Sequence, residues 1–118
     1  MGLSQYENTI INMAIESWRL SRLFIKAVSK LDPSETNKYI GQLRYFQKNI
    51  ESSLEDCNLK IVNIEGQAYD VGMAAVAMNI EDFDENDVLM IESMIEPIIM
   101  GEDGIKRQGM VMVKKVEA

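Results

Sequence analysis

The chain has 118 residues, which suits one compact domain or a small domain with a helical extension. Its 19 Asp and Glu against 12 Lys and Arg give a formal charge of -7, which disfavours nucleic acid or an anionic membrane as partner because both require a basic surface. The expected partner is therefore a neutral or cationic protein. Histidine, the commonest general base and metal ligand, is absent, so we expect no enzymatic activity, no metal and no small-molecule cofactor.

Cysteine content and hydropathy bear on the compartment. Cys57 is the single cysteine in the sequence, and one thiol cannot form an internal disulfide, which fits a reducing compartment. No apolar run approaches the roughly 20 residues of a membrane span, and the first residues do not resemble a signal peptide. We therefore expect a cytoplasmic protein.

Two apolar stripes mark the first predicted helix. Its apolar residues recur at alternating spacings of three and four, the period of a helix. The first stripe consists of Leu3, Tyr6, Ile10, Met13, Leu20, Phe24, Ala27 and Leu31. The second stripe consists of Ile11, Ile15, Trp18, Ile25 and Val28. So broad an apolar surface is typical of a helix in a bundle.

A strong helix-start signal follows at Asp32-Pro33-Ser34-Glu35. Asp32 can cap the new helix, Pro33 suits its first position, and Glu35 can reach back to the cap. The next helix has one apolar face that runs from Tyr39 to Cys57. Residues 4–57 are thus predicted to form a helical hairpin, and we assign residues 1–58 to this region.

A pair of helices cannot cover both stripes of the first one. A second copy of the chain would do so by forming a symmetric four-helix bundle. The alternative is that the C-terminal half folds back onto the helices. The residues predicted to form the dimer interface are Leu3, Tyr6, Ile10, Met13, Trp18, Phe24, Leu43, Phe46 and Ile50.

Residues 59–118 have a different pattern, which predicts a small, mostly β domain and an α+β fold overall. Residues 59–64 and 73–80 favour strands because of their β-branched content and the turn residues around them. Residues 88–95 satisfy the spacing of either a strand or a helix.

The stretch EPIIMGEDGIKRQGMVMV, residues 96–113, is predicted to be a β-hairpin. Its two apolar segments flank a polar connection with glycines at 101, 104 and 109. Because side chains alternate between the two faces of a strand, some of these apolar side chains must face outward. They fit a surface that contacts a partner as well as they fit a core. The predicted partner-binding residues are Ile98, Ile99, Met100, Arg107, Met110 and Met112.

The acidic segment from Glu81 to Asp87 fits no site well. Asp82, Asp84 and Asn86 match the first alternating positions of an EF-hand loop, but Asp87 stands where the glycine is required and Ser93 where a bidentate Glu is required. Acid–base catalysis would need one of these carboxylates to be buried. A solvated acidic loop is the preferred interpretation.

The order of these parts resembles the GrpE family of nucleotide exchange factors. The resemblance covers the chain from about Leu20 onward and rests on short motifs in a shared order. The residues that carry it are Leu59 to Ile64, Tyr69-Asp70, Ala75 to Met78, Val88 to Ile91, and Arg107 to Val113.

This resemblance implies a homodimeric co-chaperone of protein folding and the stress response. Two helices per subunit would form the four-helix bundle, and one β domain would press on the nucleotide-binding domain of a DnaK-class heat-shock chaperone and release ADP. We expect a member without the family's long N-terminal coiled coil, and Glu96-Pro97 stands where the family has Gly-Tyr before the hairpin. The resemblance therefore implies a short, divergent member that serves a specialised DnaK-like ATPase. The alternative is a dimeric structural adaptor without exchange activity.

Overall fold

The chain forms two compact units, Met1–Lys60 and Ile61–Ala118. The computed structural model describes the backbone of residues 3–117 and the side chains of residues 5–117. The first unit is helical, and the second consists of short strands in two sheets. The fold is therefore α+β, as the sequence predicts. Neither described helix offers a stretch long and apolar enough to cross a membrane.

Two helices make up the first unit: α1 spans Leu3–Val28 and α2 spans Pro33–Glu55. The predicted cap of α2 is confirmed, because Oδ1 of Asp32 accepts hydrogen bonds from the backbone N–H groups of Ser34 and Glu35, both at 3.1 Å. These bonds satisfy two of the amide groups that a helix start leaves unpaired. Pro33, which has no N–H to leave unpaired, occupies the first helical position.

The end of α2 is a Schellman motif built on an asparagine. Asn58 has φ 59, a left-handed conformation that asparagine tolerates better than most residues. The N–H of Leu59 donates to the carbonyl of Leu54 at 2.9 Å, and the N–H of Asn58 donates to that of Glu55 at 3.0 Å. Leu54 and Leu59 occupy the positions of the motif's hydrophobic contact, and both are buried. The helix therefore ends before Cys57, which is exposed and lies outside it.

The two helices contact each other at the connection between them. The hydroxyl of Thr36 donates to the carbonyl of Val28 at 2.7 Å, and the rings of Phe24 and Tyr39 meet edge to face at 6.4 Å between centroids. The carbonyl of Val28 lies in the last turn of α1 and accepts this bond in addition to one from the N–H of Leu31 at 3.1 Å. The two ends of the connection are thus joined by both polar and aromatic contacts.

The second unit contains two three-stranded sheets. The first has the order β1-β4-β5, with β1 at Lys60–Val62, β4 at Ile98–Gly101 and β5 at Gly104–Arg107. The second has the order β2-β6-β3, with β2 at Ala75–Ala77, β3 at Leu89–Glu96 and β6 at Gly109–Lys115. In this sheet β6 is central, parallel to β2 and antiparallel to β3. A short 3₁₀ helix, Ile80–Asp82, follows β2.

Both flanks of the second sheet are completed by irregular segments. Along β3, the N–H of Tyr69 donates to Leu89 O and the N–H of Ile91 donates to Gln67 O, each at 2.9 Å. Beyond β2, the side chain of Asn79 donates to Val113 O at 2.8 Å and accepts from Val113 N–H at 3.0 Å. These bonds pair backbone groups that would otherwise lack partners.

The predicted hairpin of residues 96–113 is wrong in its pairing. The strand of residues 98–101 pairs with residues 104–107, while residues 109–115 belong to the other sheet. A tight turn causes this difference, since Gly104 has φ +128, which other residues rarely adopt. Gly109 then brings the chain so close to β3 and β4 that a Cβ there would lie 3.0 Å from Ile98 Cγ1 and 3.1 Å from the carbonyl of Glu96. Residues 88–95, for which the sequence allowed two structures, are extended.

Candidate partner-binding surfaces

The two stripes of α1 differ in burial. The second stripe is largely inside: Ile11, Ile15 and Val28 are 1%, 5% and 7% exposed. The first stripe is largely outside, because Tyr6, Met13 and Leu20 are 60% to 68% exposed in the single chain. An amphipathic helix normally buries its apolar face, so the exposed stripe is the first candidate contact surface.

A shallow apolar groove of about 250 Å³ lies along this unit, between α1 and α2. Leu20 and Phe24 line it from α1, and Leu43 and Phe46 line it from α2. Leu43 is buried at its base, whereas Phe46 is 38% exposed at its side. The groove adjoins the exposed stripe through Leu20, which belongs to both.

The other residues of the predicted dimer interface are placed as follows. Ile10, Trp18, Phe24 and Ile50 are partly buried. The indole of Trp18 lies under the guanidinium of Arg22, at 4.4 Å from the ring centroid. The side chain of Leu3 lies outside the described residues.

The six predicted partner-binding residues are distributed over three strands. Ile98 and Ile99 are 5% and 0% exposed, so in this structure their side chains belong to the core and not to the surface. Met100 and Arg107 are partly buried, on β4 and at the end of β5, where Arg107 is the register partner of Ile99.

Met110 and Met112 lie on the opposite side of β6 from its buried residues. Val111 and Val113 are 0% and 3% exposed, and alternation along the strand directs Met110 and Met112 to the other face, where both are only partly buried. Val76 of β2 pairs in register with Met110 and is 48% exposed. We call Val76, Met110 and Met112 the outer face of the second sheet.

The acidic segment forms an ordered turn at the surface. The N–H of Asp84 donates to Oδ2 of Asp87 at 3.0 Å, and Nζ of Lys115 lies 3.4 Å from Oδ1 of Asp87. The Asp84 hydrogen bond, and to a smaller extent Lys115, hold the pKa of Asp87 below its ordinary value. Across the part of the chain that the structure describes, no three acidic or cysteine side chains are grouped so that they could hold a metal ion.

Several exposed apolar residues were not among the predicted site residues. Leu23 and Tyr45 are 65% and 70% exposed on the helices, and Val76 is exposed on β2. Leu23 and Tyr45 each stand one position before an aromatic residue, Phe24 or Phe46, that the predicted stripe or face already includes. For Val76 the signal was the alternation Ala75-Val76-Ala77, in which one large residue stands between two small ones.

Comparison of the chain with protein-family models, with curated proteins and with solved structures gave no match.

Proposed function

We propose that this chain is a GrpE-like nucleotide exchange factor, a cytoplasmic homodimer that binds the nucleotide-binding domain of a DnaK-class chaperone and promotes ADP release. The observation that carries the proposal is the order of its parts. Two helices precede a compact β unit in which the described residues form six strands. The motif from Arg107 to Val113 spans the end of β5 and part of the central strand β6. This is the order on which the resemblance rests.

The dimer is supported by the exposed stripe of α1. Tyr6, Met13 and Leu20 each present most of an apolar side chain to water, and the groove beside Leu20 could receive apolar side chains. A self-complementary interface would place the stripe of one chain against the same surface of its partner. Each buried apolar side chain would then contribute about 1.5–3 kcal/mol of transfer free energy.

The chaperone contact is best assigned to the outer face of the second sheet, with Met100 and Arg107 as further contacts. Methionine side chains adapt to partners of irregular shape, and Val76 adds apolar area next to Met110. Ile98 and Ile99 would then act indirectly by fixing β4, since both are buried.

Exchange of this kind involves no bond chemistry. A protein that binds the open form of an ATPase more tightly than the closed form shifts the equilibrium toward the open form, and the ratio of the two affinities limits the shift. The proposal therefore requires a shaped contact surface and no acid–base pair.

The test is the release rate of a fluorescent ADP from DnaK-class ATPases, with and without this protein. We expect acceleration that saturates with dimer concentration. The double variant Met110→Asp and Met112→Asp should remove it, because two charges would be desolvated at the contact. Val116→Asp, which alters an apolar residue that is 41% exposed elsewhere in the unit, serves as the matched control and should retain activity.

Two results would count against the proposal. Binding without any change in ADP release would favour the structural adaptor. Failure to bind any ATPase of this class would overturn the proposal altogether.

A further inference from the structure

A second concave surface lies in the β unit, apart from the outer face. It has a volume of about 610 Å³, within the range of pockets that bind ligands. Its lining comes from two segments of the chain, residues 68–71, which include Tyr69 and Val71, and residues 80–89, which include Phe83 and Val88. We call this concavity the acidic groove, because its remaining lining includes Asp70, Asp84, Glu85 and Asp87.

Apolar side chains in the groove are unusually accessible. Val71 and Val88 are 84% and 65% exposed, although both belong to a concave lining. Scattered exposed apolar residues are ordinary, but a concave group of them is typical of an interaction site.

Hydrogen bonds hold both segments of the lining in place. In the first segment the N–H of Tyr69 donates to Leu89 O at 2.9 Å, and Gly72 N–H donates to Oδ1 of Asp70 at 3.2 Å. In the second segment the N–H of Val116 donates to Val88 O at 2.8 Å, and the N–H of Asp84 donates to Asp87. A ligand would therefore meet a largely preformed surface, which lowers the entropic cost of binding.

The charge of the lining selects the sign of the occupant. Its four carboxylates face no lysine or arginine within the lining, and Lys115 pairs with Asp87 alone among them. Such a rim attracts a cation and disfavours an anion. Tyr69 and Phe83, both partly buried members of the lining, are residues of the kind on which a guanidinium group stacks well.

We propose that the acidic groove binds an extended segment of a partner protein in which an arginine lies next to large apolar residues. The apolar side chains would cover Val71 and Val88, and the guanidinium would lie between the aromatic rings and the carboxylates of Asp84 and Glu85. This inference does not depend on the proposed exchange activity, because it uses a different surface of the β unit.

The probe is the capped tripeptide acetyl-Leu-Arg-Leu-amide, titrated into the isotope-labelled full chain and followed by amide chemical shifts. We expect saturable shifts confined to residues 68–71 and 83–89, with a dissociation constant on the order of 1 mM for so small a ligand. The neutral analogue acetyl-Leu-Gln-Leu-amide should bind about two- to fivefold more weakly, the effect of one exposed ion pair.

Variants separate the two components of the site. The double change Asp84→Asn and Glu85→Gln should weaken the arginine peptide about two- to fivefold and leave the glutamine peptide unaffected. Val71→Ser together with Val88→Ser should weaken both peptides. The control is Glu51→Gln with Glu55→Gln, which removes the same charge from exposed positions of α2 and should change neither affinity.

Four outcomes would overturn the inference. They are no saturable shift up to about 10 mM peptide, equal affinity for the two peptides, an equal loss in the α2 control variant, and shifts of the groove amides on protein dilution alone. The second would indicate an apolar ligand, the third diffuse electrostatic attraction, and the fourth a second copy of the chain in the groove.

Discussion

The side chain of Asn79 forms hydrogen bonds with the backbone of β6 just after β2 ends. Its carboxamide both donates to and accepts from Val113, at 2.8 and 3.0 Å, two residues beyond the last strand pair between Ala77 and Val111. The pairing of β6 is thereby extended after β2 has ended. An asparagine is suited to this role because its amide has the same donor and acceptor as a peptide group.

Replacing Asn79 tests this role. Asn79→Ala leaves the N–H and carbonyl of Val113 without these partners, so we expect the free energy of unfolding of the β unit to fall by about 1–3 kcal/mol. Urea unfolding followed by circular dichroism measures the change. Asn86→Ala, at an exposed turn position, is the control and should stay within about 0.5 kcal/mol of the unmodified chain. Equal effects of the two changes would contradict the role of Asn79.

Asp32 gives a prediction about pH. Hydrogen bonds from the Ser34 hydroxyl and then from Glu35 N–H lower the pKa of Asp32 in the folded chain. Because the folded pKa lies below the unfolded one, the cap's contribution to stability is present above the unfolded value of 3.8 and is lost as pH falls through the folded value. Acidification should therefore weaken the start of α2.

The comparison that isolates this effect uses Asp32→Asn, which retains a capping oxygen and cannot titrate. The stability of the unmodified chain relative to Asp32→Asn, measured by thermal unfolding, should fall between about pH 5 and pH 2. A difference that stays constant over this range would show that Asp32 does not act through its charge.

At the scale of elements, β4 and β6 differ in whether they tolerate a charged side chain. Ile99 is fully buried, so Ile99→Asp would bury an unpaired carboxylate or force its protonation. We expect it to destabilise the β unit by about 3–5 kcal/mol. The change of Met110 and Met112 to Asp should leave the unit folded, because both side chains lie on the outer face. Dispersion of amide signals in NMR spectra reports which variants remain folded, and a folded Ile99→Asp variant would contradict the assigned core.

Local signals predicted the helices well and the strand pairing poorly. The cap at Asp32 depends on four consecutive residues, and the stripes of α1 depend on periodicity within one segment, so both are visible in the sequence. The partner of a strand depends on contacts distant in sequence. Residues 104–107 hold a single large apolar residue, Ile105, so the sequence indicates a connection there, although they form β5.

The candidate site could be predicted from the sequence only in part, for the same reason. Sequence alternation indicated that some residues of 98–112 face outward, and Met110 and Met112 are only partly buried. It could not show that Ile98 and Ile99 are both buried, since strict alternation would expose one of them. Consecutive buried residues arise where a strand is covered on both faces, and that depends on packing between elements.

At the scale of the whole molecule, the exposed stripe predicts the oligomeric state. Light scattering during gel filtration should give twice the mass of one chain at micromolar concentration. The double change Met13→Glu and Leu20→Glu should yield a helical monomer, because charges at a buried apolar interface are strongly unfavourable. Ile105→Glu, on exposed β5, is the control and should remain dimeric. A monomeric unmodified chain would contradict this account of the stripe.

The central position of β6 also determines the order in which this protein can fold during synthesis. β2 and β3 each pair with β6 and not with one another, so the second sheet has no partner strand for either until residues 109–115 have been made. The helices are joined by a short connection and form contacts between nearby residues, which is typical of rapid folding. A nascent chain would therefore carry a finished helical pair while β2 and β3 still await their central strand, and this interval is when those two strands are most exposed to aggregation.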